Sequence, residues 1–419
     1  MKVLIRQTRI IAPSYPLHGQ ILDILVTDGI ISRMAAGINE PADQVIEQPG
    51  LCVSAGWVDI FADFADPGFE YRETLQSGAA AAAAGGFTEV FVIPNTQPTL
   101  HSKSQIEYIT SKSIDTPVHI HPLGAITKNT EGKTLAEMYD MRQAGAVAFT
   151  DGINSLQSPG ILLKALQYVK AFNGTIIQVP DDHSISANGL INEGITSTRL
   201  GLPGQPAIAE ELMLARDIEL LKYTGSRIHF TGISTKKSLD MVNAAKAGGL
   251  DVSCSVTPYH CWFCDEDLVS YDTYLKVNPP LRSRSDMLAL REAVANGQVD
   301  CIASHHIPQN HDHKICEFEH AHTGMSGLET LFAVMNTLGC PSGRFVEMQA
   351  YRTRELYDLP VPAIAEGAPA SLTLFNPEAD FRYNEQQRRS QSANSAFTGI
   401  ALKGKVIGIL NKNKIYLNP

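Results

Sequence analysis

The sequence predicts a (β/α)8 TIM barrel carrying a small composite β-sandwich domain built from both chain ends. Two observations lead there. Between residues 54 and 365, short apolar runs alternate with helix-like stretches eight times. Outside that span, at 1–53 and 366–419, the chain reads as short strands and turns with little helical periodicity. Continuous apolar strand runs separated by helices are the pattern of a parallel sheet buried on both faces. Two β-rich ends around such a core are expected to pair into one small domain.

Taken in order, the N-terminal strand runs are 2–11, 21–27 and 29–35. The eight barrel runs are 56–63, 88–95, 118–125, 146–151, 175–179, 227–232, 251–257 and 300–305. Helical stretches are read at 74–84, 135–144, 161–172, 208–223, 235–247 and 285–295. The first contains six consecutive alanines, 79–84, followed by Gly85 and Gly86, as expected for a helix packed closely on a barrel and ended by glycine. The C-terminal strands are expected at 371–375, 403–410 and 413–417.

Composition bounds the function classes. The chain has 419 residues, 44% hydrophobic and 19% charged, the balance of an ordinary globular protein. A net charge of −10 argues against nucleic acid or an anionic membrane as partner. No apolar run is long enough to span a bilayer, and the first residues lack a signal-peptide core. Seven scattered cysteines suit free thiols in a reducing cytoplasm.

In a (β/α)8 barrel the chemistry sits at the C-terminal ends of the strands. Several stretches there resemble the dihydroorotases, the cyclic-amide branch of the metal-dependent amidohydrolases. They are the frame Asp59 to Gly68, Ile93-Pro-Asn-Thr-Gln-Pro98, Gly124-Ala-Ile-Thr127, Ala148-Phe-Thr-Asp-Gly152, Leu202-Pro-Gly204, the stretch Lys276 to Arg282, and Gly327-Leu-Glu-Thr330. The resemblance runs in order along nearly the whole chain. It implies zinc in the family, because ring-opening of a cyclic amide uses a metal-activated water.

The same resemblance marks what is missing. The family's first strand reads Asp-x-His-x-His, with an Arg two residues further on that clamps the substrate carboxylate. Here those positions hold Phe61, Asp63 and Ala65. The family's fifth- and sixth-strand His positions hold Val179 and Gly232, and its eighth-strand Asp, ligand and general base, is His305. Its substrate-side His is Gln309. Asp151 stands at the retained bridging-carboxylate position, and Asn95 and Asn278 remain at substrate-side positions, with the backbone around Gly324. One ligand position in this set survives. No catalytic residue and no cofactor is therefore expected, with Asp151 and Asn95 read as hydrogen-bonded mouth residues.

Other features invite a site. His119 and His121 form an H-x-H on the third strand, and Cys261 and Cys264 a C-x-x-C without a second pair; both are read as packing. Six of the 13 histidines fall between His305 and His322. A polar loop is the plainer reading of that tract; metal binding through His306, His311 and His313 is the other.

The expected role is that of a dihydroorotase-like protein of pyrimidine synthesis without catalysis. It would be a homodimer, or a scaffold partner of aspartate transcarbamoylase as some homologues in the family are, with 202–206 and 276–282 as contact surface. The alternative is an active cyclic-amide hydrolase, dihydroorotase, hydantoinase or allantoinase-like, with a site rebuilt from Asp63, Asp151, His305 and His306.

Overall fold

A computed structural model describes residues 1–13 and 15–419. The terminal strands form one eight-stranded sheet. Its order runs Lys414–Leu417, Ala401–Asn411, Leu372–Arg382, Cys52–Ala55, Lys2–Ile10, Ile21–Thr27, Ile30–Ala35, with Gln44–Ile46 also pairing against Lys2–Ile10. The two chain ends meet where Cys52–Ala55 pairs antiparallel with Leu372–Arg382. Val3, Ile5, Ile24, Val53, Leu372 and Leu374 alternate inward to make this sheet's own core.

The barrel follows at once. Trp57–Ala62, Phe87–Val92 and His119–Pro122 pair in parallel, as do Ile176–Gln178, Ile228–Phe230, Val252–Val256 and Cys301–Ile302. Parallel bridges Gly124 to Phe149, Phe149 to Ile176 and Ala62 to His306 close the ring. The run expected as a strand at 146–151 therefore holds its place between its neighbours, reduced to a single bridging residue. A turn at Gly145 (φ 112°) and the tight Asp151–Gly152 corner (φ 67°) leave room for little more.

The helices lie close to where their caps put them. Thr74 and Ser77 form a capping box at the start of Leu75–Ala84, and Thr235 caps Lys236–Ala247. The glycines that flank the alanine run are a packing requirement. A Cβ on Gly78 would come within 2.5 Å of the Phe64 ring, and one on Gly85 within 2.3 Å of the Leu328 carbonyl.

The barrel interior is filled by Val58, Ile60, Phe61, Phe91, Ile93, Leu123, Ile177, Val179, Cys301 and Ala303 in one apolar cluster. Phe61 and Val179 are thus core residues. At the N-terminal end of the barrel Arg354 is fully buried. It donates to Glu89 Oε1 (2.7 Å) and to the carbonyls of Gly56 and Ala350 (2.6 Å each), tying the last helix to the first two strands.

Candidate functional site

The C-terminal strand ends converge as the sequence requires, and Phe61, Asp63, Asn95, Asp151, His305 and His306 are each committed to a protein partner. Phe61 is fully buried, and its ring stacks on the His305 imidazole with centroids 4.4 Å apart. His305, 1% exposed, has a left-handed backbone (φ 41°) and its Nε2 lies 2.8 Å from Thr231 Oγ1. Ser255 Oγ donates to that same Thr231 oxygen at 2.8 Å, which leaves the Thr231 proton for His305 Nε2. Burial pushes the His305 imidazole down to about 3, so it is neutral at neutral pH.

Gly232 completes this plug. A Cβ placed there would fall 2.7 Å from His305 Cε1, on a backbone with φ of 72°. His305 occupies the space that a side chain at 232 would need. The two positions exclude each other sterically: with an imidazole at 305, no side chain fits at 232.

The acidic positions are closed in the same way. Asp63 accepts from the Ala65 amide (2.8 Å) and pairs with Arg72 Nη2 at 3.1 Å. Burial pushes its carboxyl upward against the pull of Arg72. Asp151 accepts from the Thr127 amide (2.9 Å) and hydroxyl (2.5 Å), and burial raises it to about 6. Asn95 donates to the Asp151 carbonyl at 3.1 Å and accepts from the Ile153 amide at 3.0 Å. His306 sits 3.4 Å from Glu73 by Nε2 and accepts from the Gly327 amide by Nδ1 (3.3 Å).

Asp63, Asp151, His305 and His306 are therefore held by Arg72, Thr127, Thr231 and Glu73, each facing its own partner. Among the described residues no group of three or more His, Cys, Asp or Glu is arranged to hold a metal ion. The donor set does not fit a zinc centre, which needs converging nitrogen and oxygen ligands with an open position for water.

The histidine tract is dispersed. His305 and His306 point into the barrel, while His311 stands exposed on the following loop. His313 stacks on His322 with ring centroids 3.8 Å apart, edge-on to Tyr71. His306, His311 and His313, proposed from their spacing to share an ion, are not brought together: a strand end sends the first inward and the loop carries the others away. His119 and His121 lie at the start of their strand, at the far end of the barrel, with His121 Nε2 2.7 Å from Glu89. All seven cysteines are free thiols; Cys261 is fully buried, and burial drives it up to about 12.

The loops expected as contact surface are anchored from within, while Pro203 stays exposed. Arg282, 2% exposed, donates to Ser234 Oγ (2.9 Å), Asn192 Oδ1 (3.2 Å) and the Gln205 carbonyl (2.9 Å), so it clamps 202–206 and 276–282 together. Leu202, Gln205, Val277 and Leu281 are buried. A buried guanidinium needs its donors answered, and the Gln205 carbonyl of one loop shares that task with Ser234 and Asn192.

Sequence reading missed Arg72, Glu73 and the loop that covers them. Glu73 accepts from the Ser390 and Ser77 hydroxyls and the Gln391 amide, and Asn394 bonds the Gln309 amide and the Ile307 and Gly324 carbonyls. Residues 383–399 carry no periodicity that could have announced this. Beside the plug a cavity of about 400 Å³ remains, lined among others by Phe61, Arg72, Asp181, Lys276, Asn278 and His305.

Comparison with known proteins agrees with this architecture. A family model described as dihydro-orotase-like matches residues 50–238. A dihydroorotase of Syntrophus aciditrophicus is 37% identical over 99% of both chains. One of Pelotomaculum thermopropionicum is 38% identical over 96% of each. Among solved structures, the L-hydantoinase of Arthrobacter aurescens superposes with a TM-score of 0.85 at 22% identity, covering 99% of this chain and 95% of that one. A D-hydantoinase gives 0.84 at 18%, covering 100% and 95%; at such identities the likeness is one of fold.

Proposed function

The chain belongs to the dihydroorotase family, and on that premise we propose that it is a member without a metal centre or hydrolytic activity, working through its surface. The observation that carries this reading is the plug. Phe61 stacks on His305, and His305 fills the space over Gly232. Three positions where the family places metal ligands or its base are thereby joined in packing contact. A lone carboxylate such as Asp151, already accepting two hydrogen bonds from Thr127, adds no second ligand.

The carboxylate clamp is absent as well. Ala65 is buried with its amide given to Asp63, and the nearby guanidinium, Arg72, is paired with Asp63. A bidentate ion pair has no substitute in a methyl group.

The partner in this reading is aspartate transcarbamoylase, the preceding enzyme of pyrimidine synthesis, with the chain itself a homodimer. Support comes from the family precedent and from an apolar surface on adjoining segments. Ile195 is 89% and Val269 56% exposed, and Tyr271 Oη bonds the Leu200 carbonyl between them. Purification from native cells at physiological salt, with elemental analysis, tests both halves. The chain is expected to emerge zinc-free and together with aspartate transcarbamoylase. Stoichiometric zinc would overturn the first half, and a lone monomer the second.

A further inference from the structure

At the end of the barrel opposite the mouth, a cleft of about 570 Å³ opens between the barrel and the terminal sheet. Its apolar wall is the segment Leu359-Pro360-Val361-Pro362 together with Pro369, of which Pro360, Val361 and Pro369 are exposed. Its polar wall is Glu89, His119 and His121 of the barrel, with Lys412 and Asn413 from the turn between the last two strands. That turn is held on the barrel. Asn411, 3% exposed, donates by Nδ2 to the Thr88 and Pro117 carbonyls (3.0 and 3.1 Å). Lys412 Nζ donates to the Val118 carbonyl (3.1 Å), next to His119. A Cβ on Gly29 would fall 3.0 Å from Asn413 Cβ, so the neighbouring hairpin turn braces it too.

The charges in this wall do not cancel. Glu89 is already answered, with Oε1 held by Arg354 and Oε2 2.7 Å from His121 Nε2. The carboxylate nearest the turn, Asp115, lies 4.0 Å from Lys414, and Lys412 has no ion pair among the described residues. Partial burial and the Lys414 charge pull Lys412 below the ordinary lysine value, and its one carbonyl partner leaves two ammonium protons without a protein acceptor.

We propose that this cleft binds a small organic anion, an oxyanion headgroup carried on an apolar body, independently of the reading given to the barrel mouth. The sign follows from the balance. Glu89 and Arg354 offset each other, so Lys412 is the surplus charge; it repels a cation and gives a carboxylate or phosphate oxygen a charge-assisted hydrogen bond. His119 is exposed in the same wall, its ring near-parallel to that of His121 with centroids 6.3 Å apart, and adds an imidazole N–H beside the ammonium. The proline and valine wall shields an apolar body from water. Because Asn411 and Gly29 fix the turn before anything binds, little ordering cost falls on the ammonium. A cleft of this volume between two domains is of small-ligand size.

The test is calorimetric titration of the full chain, with thermal unfolding alongside, using benzoate, phenyl phosphate, the neutral benzamide, and acetate and inorganic phosphate as anions without the apolar body. Benzoate or phenyl phosphate is expected to bind saturably and to raise the unfolding midpoint, and the tighter of the two names the headgroup. Benzamide, acetate and inorganic phosphate are expected to bind at least about tenfold more weakly. Lys412→Met is expected to lower the affinity by about tenfold or more, the size of one charge-assisted hydrogen bond. Failure of both aromatic anions to bind overturns the proposal, as does equal binding of benzamide or of the small anions, or unchanged affinity in folded Lys412→Met. Should that variant not fold, Val361→Glu places a carboxylate on the exposed apolar wall, and unchanged affinity there overturns the proposal equally. A dihydroorotate assay on the same preparation tests only the mouth: turnover contradicts the non-catalytic reading and leaves this site standing.

Discussion

Phe61→Ala is expected to destabilise the protein by about 3–5 kcal/mol, the range for emptying a buried aromatic site. Phe61 is fully buried in the cluster that fills the barrel, among Val58, Ile60, Phe91 and Val179, and it stacks on His305. Truncation removes that apolar contact and leaves one face of a neutral imidazole over a void. The walls are β-strands tied into a closed ring, so collapse onto the void is limited. Guanidinium denaturation reads the effect as a fall in the midpoint. A change below about 1 kcal/mol would mean that the ring is not packed as described.

Arg354→Met is expected to cost a similar amount, about 3–5 kcal/mol, because it strips a largely buried carboxylate of one of its two partners and two buried carbonyls of their donor. Glu89 would keep only His121, and the Gly56 and Ala350 carbonyls would lose their donor. The same group sets part of the acid limb. Burial works against the Glu89 carboxylate, but His121 and Arg354 hold it down to about 2. A depressed carboxylate contributes stability that is complete above its ordinary value of 4.5 and is lost as pH falls towards 2. In Arg354→Met the folded-state value moves back up, so that loss should be smaller and complete at a higher pH. Denaturation midpoints between pH 2 and 6 check this, and an unchanged acid limb would contradict it.

Much of the fold was legible because strand and helix periodicities are local properties of the chain. The alternation of apolar runs gave the barrel order, and the capping residues Thr74 and Thr235 set helix starts within a residue. The fourth strand was over-read, since an apolar run at 146–151 does not reveal that a tight turn on each side leaves one bridging residue, Phe149. At the site, the residue types at each strand end were visible one by one, but not what each of them contacts. The steric exclusion between Gly232 and His305, and the pairing of Arg72 with Asp63, depend on segments far apart in sequence that meet only in the closed barrel. The histidine tract was read foremost as a polar loop; spacing along the chain does not say that His306 turns inward and His311 outward.

The central claim is that packing has replaced catalysis at the barrel mouth. Without a bound metal, water keeps its bulk pKa near 15.7 instead of about 7, and no hydroxide forms at neutral pH to attack an amide. The most direct measurement is dihydroorotate turnover by the purified chain after incubation with zinc, run beside an active family member under identical conditions. The account predicts a rate indistinguishable from the uncatalysed background. Zinc-dependent turnover that disappears in Asp151→Ala would contradict it.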